Sequence, residues 1–412
     1  SLPILPNKTK RLLCCNNQLT ILPDLPIGLE KLDCDNNQLT ILPNLPIDLE
    51  TLSCSNNQLT ILPNLPVVLR TLKCDNNQLT VLPDLPIGLW YLTCGSNPLT
   101  IFPDLPASLD SLDCNNTQLS VLPNLPVGLK RLSCSNNQLT ILPNLPASLD
   151  SLDCNNNQLT VLPDLPVDEL SVLSCSNNQL TILPDLPDSL VDIYCESNQL
   201  TVLPDLPVEL DVLSCSNNQL TILPDLPDSL KNLNCGNNQL KVLPDLPIGL
   251  ETLSCSNNQL TILPDLPDSL KNLNCGNNQL KVLPNLPNEL RVLNIIETKI
   301  YEIDAKQCES LEEILLDEKI RTSINVKIFI SENLHSIKIN GKKYTREQIE
   351  KHNKAENTAE TIMSKMSYSK NKRLPEDIDR NVLDFLRKPK NGGKKSRVKK
   401  SNKKNKTRKT KK

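Results

Sequence analysis

From Leu2 to Leu293 the apolar positions follow neither the 3.6-residue spacing of an amphipathic helix nor a long two-residue alternation. They follow a longer unit. The stretch beginning at Leu32 reads L-x-C-x-x-N-x-L-T-x-L-P-x-L-P-x-x-L-x-x and runs straight into its next copy. Within it, L-x-C is a fragment of two-residue alternation. A short strand is therefore expected, with Leu32 and Cys34 facing inward and Asp33 and Asp35 outward. Leu39 and Leu42 fill the interior from the returning arm, and Leu45 and Leu49 continue it. The L-P-x-L-P segment is incompatible with a helix, because each proline lacks an N–H and pushes its predecessor toward extended backbone. A polyproline-like arm is expected there.

The register is fixed. Fourteen cysteines fall at 14, 34, 54, 74, 94, 114, 134, 154, 175, 195, 215, 235, 255 and 275, a period of 20 broken once by an additional residue near Asp168 and Glu169. A period of this size means stacked coils, each burying its apolar edge only against its neighbours. Residues 214–246 and 254–286 are identical except for Asp245 against Asn285, so a block has been copied in tandem. The asparagine closing each strand, at 37, 57, 77, 97 and onward, has a structural reading. A buried turn leaves backbone groups without partners, and a short amide can both donate and accept. Repeated, it becomes an asparagine ladder.

Composition narrows the picture. With 33 Pro and only 3 Phe, 5 Tyr and 1 Trp, a core built on aromatic rings is excluded, and 2 His exclude a His-rich metal centre. The net charge of -3 conceals a split: residues 387–412 hold 15 of the 44 bases and no acid, leaving 29 bases against all 47 acids elsewhere, or -18. Residues 1–293 alone carry 13 bases and 30 acids, a net of -17. No run of about 18 apolar residues occurs, and Ser1–Pro6 lacks the basic and apolar regions of a signal peptide, so a soluble, non-secreted chain is expected.

The unit resembles the leucine-rich repeat, specifically the 20-residue L-P-x-L-P subtype of bacterial effector proteins and of similar giant-virus repeat proteins, over about 290 of 412 residues. The resemblance implies a solenoid of the α/β type, curved and right-handed, with a parallel sheet on its concave side, a polyproline-like convex side, and protein recognition as its task. Two departures stand out. The bacterial proteins commonly have a helical cap before the repeats, whereas this chain begins inside a half repeat. Some also carry a large ubiquitin-ligase domain with a catalytic cysteine, for which the 119 residues after Leu293 are too few.

The cysteines replace the usual leucine at the second strand position and should stack as a column of free thiols. In-register parallel strands aim their Cβ atoms alike, which disfavours disulfides, and no C-x-x-C or Cys/His spacing points to a metal. So many reduced cysteines favour an intracellular setting, cytoplasmic or nuclear. Cys15 and Cys308 stand outside the column and are the expected reactive thiols; Cys308 has no nearby histidine to make it a catalyst. The outward strand positions are small and polar, with acid at Asp33, Asp35, Asp75, Asp113, Asp153 and Glu196 and a tyrosine at Tyr194. Such a face repels phosphate and suits a basic protein. Trp90 and Tyr91, beside the atypical Gly95-Ser96-Asn97-Pro98 turn, are candidate anchors, since interface hot spots favour these rings; the alternative is a lone aromatic on the solenoid rim.

The expected plan is a solenoid over 1–293 (about 14 repeats), a C-terminal cap over 294–344, a helical segment over 345–386 and a disordered basic tail over 387–412. In the cap, 311–316 reads as a degenerate coil or short helix, and 326–330 and 334–339 as two strands joined by a polar turn. Residues 374–386, with an apolar stripe of Ile378, Val382, Leu383, Phe385 and Leu386, are similar to the opening helix of an F-box, which implies docking to a cullin ubiquitin ligase as a substrate receptor. A short helix packing on the body is the alternative. The tail includes Lys394, Lys395, Arg397, Lys399 and Lys400 after Gly392-Gly393 and reads as a nuclear-import signal, a non-specific nucleic-acid contact or a partner for the acidic solenoid itself. It lacks aromatics for base stacking. The resulting functional expectation is a non-enzymatic, monomeric protein-binding scaffold of viral or effector type, with no cofactor and no membrane.

Overall fold

Each repeat forms a three-residue strand centred on the leucine of L-x-C, from β1 (Arg11–Leu13) and β2 (Lys31–Asp33) to β15 (Val292–Asn294); the cysteine, expected within the strand, follows its end, and Asp35 lies beyond it as well. The structure, a computed structural model, describes residues 2–316, 327–340, 342–351 and 353–354. The strands pair in parallel with a constant register, Leu12 beside Leu32, Leu32 beside Leu52 and so on to Leu273 beside Leu293. Because the register shift equals one repeat, identical positions stack into rows. Leu32, Cys34, Leu39 and Leu49 are fully buried. Full burial of one leucine contributes roughly 1.5–3 kcal/mol, and every coil repeats the set. Leu45 is only half-buried, because the extended L-P-x-L-P arm runs along the surface of the coil.

One row on the returning arm turns outward. From Ile21 and Ile41 to Val282 it is made of isoleucine or valine in every repeat, each 46–64% exposed.

The repeat loses its period after β15 but the sheet does not stop. β16 (Glu302–Ala305), β17 (Glu313–Leu315), β18 (Lys327–Ile330) and β19 (Ser336–Ile339) follow, and β17 and β19 extend the main sheet in parallel. β16 and β18 form a separate parallel pair. Residues 313–315 are thus a strand and not a helix, and 327–330 and 336–339 sit in different sheets instead of pairing with each other, since each follows the coil before it. β20 (Lys342–Thr345) then pairs with β19 antiparallel, closing the sheet edge that a parallel stack would leave open. Residues 346–349 begin a helix. Its entry is a capping box, Gln348 N–H donating to Thr345 Oγ1 (3.3 Å) and Thr345 N–H to Gln348 Oε1 (2.9 Å).

The chain divides into two units, Ser1–Ile349 and Glu350–Lys412; in the second, the described residues 350–351 and 353–354 are helical. Residues 374–386, with their F-box-like stripe, and the basic tail lie outside the described residues. No helix among the described residues is long and apolar enough to cross a membrane.

Candidate functional site

The outward face of the sheet is positioned by two buried ladders. In the first, Asn37 Nδ2 donates to Cys14 O and Cys34 O (both 3.0 Å) and to Asp35 O (3.2 Å), and its Oδ1 accepts from Leu19 N–H (2.9 Å). Asn57, Asn77 and Asn97 repeat the pattern. One amide therefore ties two coils together and satisfies groups in both. Coil six departs: Thr117 stands in the asparagine position, donating to Cys114 O (3.1 Å) and to Asn137 Oδ1.

The residue before the ladder asparagine has a positive φ in every coil, from Asn16 (55°) and Asn36 (56°) onward. Asparagine tolerates the left-handed region better than other non-glycine residues, which explains the Asn-Asn doublet. Ser96, Ser197 and Glu297 occupy the same conformation without that advantage.

The second ladder is the cysteine column. Cys34 S–H donates to Ser53 O and Cys74 S–H to Thr93 O, both at 3.4 Å. All sixteen cysteines are free. Burial is the main cause that pushes the column thiols up, to about 11 at Cys14 and about 12 at Cys235 and Cys275, so none is a ready thiolate. Cys15 is half-exposed, but Cys308 is fully buried in the closing coils and its thiol is pushed up to about 11, so the expectation of a reactive Cys308 is corrected. Among the described residues no group of His, Cys, Asp and Glu is placed to hold a metal.

The outward carboxylates are half-buried; Asp35, Asp75, Asp153 and Glu196 are braced by a neighbouring coil, and Asp33 and Asp113 by backbone N–H groups of their own coil. Asp35 accepts from Ser53 O–H and from Ser55 N–H (both 2.6 Å). Asp75 accepts from Thr93 O–H and from Gly95 N–H (2.9 Å). Asp153 accepts from Ser135 O–H and from Asn155 Nδ2 (2.8 Å), and Glu196 from Ser176 O–H. Asp113 holds Asn115 N–H (3.0 Å), and Asp33 Oδ1 accepts from Asp35 N–H (3.3 Å). Burial, more than these bonds offset, raises the carboxyls of Asp35 and Asp113 above the usual carboxylate range. The acids are therefore fixed in place and incompletely solvated, which is the condition under which a charge responds most to an incoming cation.

Tyr194 and Glu196 share a depression of about 460 Å³ floored by Ser174 and Ser176 and rimmed by Asn177 and Asn217. Asp33 and Asp35 lie together farther along the same face. Tyr91 projects from the sheet under Lys73, whose Nζ is 5.5 Å from the ring centroid, and Trp90 is exposed at the strand's edge. Two charged rows escaped the sequence reading. At the position just before the strand, oppositely charged neighbours pair along the stack in four places: Lys10 with Glu30 (2.9 Å), Asp110 with Lys130 (3.1 Å), Asp211 with Lys231 (3.0 Å) and Glu251 with Lys271 (2.7 Å). On the proline side, Asp24, Asp84, Asp104, Asp164 and their successors are exposed, so much of the acid faces away from the sheet. Both rows are visible as a recurring charge at one repeat position.

No protein-family model and no curated protein matches the chain, whereas solved structures do. YopM of Yersinia pestis, described as a leucine-rich effector protein, is 40% identical, over 70% of this chain and 83% of its own, with a TM-score of 0.66. This chain is a leucine-rich-repeat protein. YopM of Yersinia enterocolitica WA-314 is 33% identical over 81% of this leucine-rich-repeat chain and 92% of its own, with a TM-score of 0.56. The functional domain of InlJ from Listeria monocytogenes, described as including a cysteine ladder, is 26% identical over 74% and 72%, with a TM-score of 0.58. The stacked thiols of the present leucine-rich-repeat protein are similar to such a ladder.

Proposed function

We propose that this leucine-rich-repeat protein is a non-enzymatic, monomeric scaffold that binds a protein with a basic surface on the outward face of its sheet. The observation that carries the reading is the set of braced, half-buried carboxylates on that face, Asp33, Asp35, Asp75, Asp113, Asp153 and Glu196, set among small polar side chains. Pre-positioned acids lose little entropy on meeting a cation, and charge complementarity speeds encounter. The twenty-residue unit with its L-P-x-L-P arm supports assignment to the effector subtype, and the likeness to a leucine-rich effector favours action on a host cell, whether the source is bacterial or viral. A long column of protonated thiols fits a reducing, intracellular setting.

The test is titration of full-length protein with hexalysine. A variant with Asp33, Asp35, Asp75, Asp113 and Asp153 all changed to Asn should bind at least about tenfold more weakly, and the difference should shrink as salt rises. Equal affinity for both proteins would refute the reading, because the proline-side aspartates would then account for the attraction.

A further inference from the structure

Two tyrosines project from the sheet face of the repeats, and their surroundings differ. At Tyr91 the chain supplies its own cation, with Lys73 Nζ 5.5 Å from the ring centroid. Lys73 comes from the preceding coil, in register with Thr93. At Tyr194 the residues in register on the two neighbouring strands are Ser174 and Ser214. Neither can reach over the ring, and among the described residues no cation lies over it. The short serines leave the depression of about 460 Å³ open in front of Ser174 and Ser176, with Tyr194 and Glu196 as its larger side chains.

The surroundings of that ring are negative. Glu196 uses one carboxylate oxygen to accept from Ser176 O–H; its other oxygen has no hydrogen bond among the described residues. Asp192 and Asp211 lie close by. Asp211 Oδ2 meets Lys231 at 3.0 Å, while its Oδ1 is buried with no hydrogen bond among the described residues. The Tyr194 hydroxyl is raised by burial first and then by Asp192, Glu196 and Asp211, with no positive neighbour acting the other way. Asp35, by contrast, has Lys73 to lower it.

We propose that the depression beside Tyr194 seats one basic side chain of the protein partner, arginine in preference to lysine, with the cation against the Tyr194 ring and the Glu196 carboxylate. This rests on the reading that the sheet face binds a basic partner. A guanidinium is flat and stacks on an aromatic face while its remaining N–H groups stay in plane to reach a carboxylate and the amide oxygens of the rim. An ammonium meets only one of these partners well. The Lys73–Tyr91 contact, on a different row of the sheet, shows that a cation can sit over a ring on this face, and the serines opposite Tyr194 in coils nine and eleven leave that place for a residue from outside.

The experiment is fluorescence anisotropy of labelled hexa-arginine and hexalysine with the full-length protein at one low salt concentration. Tyr194→Leu should weaken hexa-arginine about 3- to 30-fold, and hexalysine by less. Tyr194→Phe should stay within about twofold of the parent, since the ring and not the hydroxyl carries the contact. Glu196→Gln should also weaken binding, which keeps the test valid if Tyr194→Leu folds poorly. Asp113→Asn, outside the depression, provides the comparison. If Asp113→Asn weakens hexa-arginine as much as Tyr194→Leu does, the depression is not the seat although the face still binds. If neither substitution nor the five-Asn variant changes binding, the face itself is not the binding surface and both readings fall.

Discussion

Replacing Asn157 by Leu tests what holds the coils together. Asn157 is 9% exposed; its Nδ2 donates to Cys134 O (3.0 Å), Cys154 O (3.1 Å) and Asn155 O (3.2 Å), and its Oδ1 accepts from Leu139 N–H (3.0 Å). Leucine can do neither. The orphaned Leu139 N–H costs about 1–3 kcal/mol. The carbonyls add little, because each keeps a second donor: Asn137 Nδ2 on Cys134 O (3.1 Å), Asn178 Nδ2 on Cys154 O (3.0 Å) and Asn136 N–H on Asn155 O (2.9 Å). Solenoid stability is close to a sum of coil and neighbour terms, so the damage should stay local. Hydrogen exchange resolved by repeat should show amides between 134 and 159 exchanging about 5- to 150-fold faster, with little change near 40 or 260. An unchanged Leu139 amide in Asn157→Leu would refute the account, since the buried groups would then be satisfied by something else.

Other consequences follow from the thiols. A bulky thiol reagent should label native protein chiefly at Cys15 and reach the column and Cys308 only after denaturation; labelling of most thiols in the native state would remove the cysteines from the core. Column thiols have folded values above the ordinary value of 9.0. Their stabilising effect is therefore complete below about pH 9 and is lost as pH rises toward about 12, at about 1.4 kcal/mol per thiol per pH unit. Urea midpoints should be level from pH 7 to about 8, begin to fall near pH 9 and be well down by pH 10; a level midpoint at pH 10 would contradict the buried column.

Much of this architecture is legible because a fixed period turns each position into a row. The inward Leu32 and Cys34, the outward Asp33 and Asp35, and the role of Asn37 all follow from alternation and from the needs of a buried turn. The residue before the ladder asparagine was harder, because a positive φ is a backbone property that only the choice of side chain betrays. Asn36 carried that signal, and Ser197 and Glu297 show that it is not obligatory. The closing coils resisted for a different reason. Without the period, nothing in Lys327–Ile330 says that its partner is Glu302–Ala305 and not the next strand. Cys308 likewise gave no hint of burial, because depth there depends on how irregular coils stack. At the candidate site the acids could be named, but the depression at Tyr194 depends on its neighbours being Ser174, Ser176 and Ser216, a cross-coil relation that emerges only when rows are read across the sheet.

The most direct test of the binding claim is zero-length carbodiimide coupling of full-length protein to its basic partner from the native cell, followed by mass spectrometry. The reagent joins a carboxylate to a lysine it already touches, and this chain offers two separate acidic surfaces. Cross-links from Asp35, Asp113 and Asp153 on the sheet, with Asp84, Asp104 and Asp164 on the proline side unmodified by partner lysines, are the predicted result. Cross-links confined to the proline-side aspartates would contradict it.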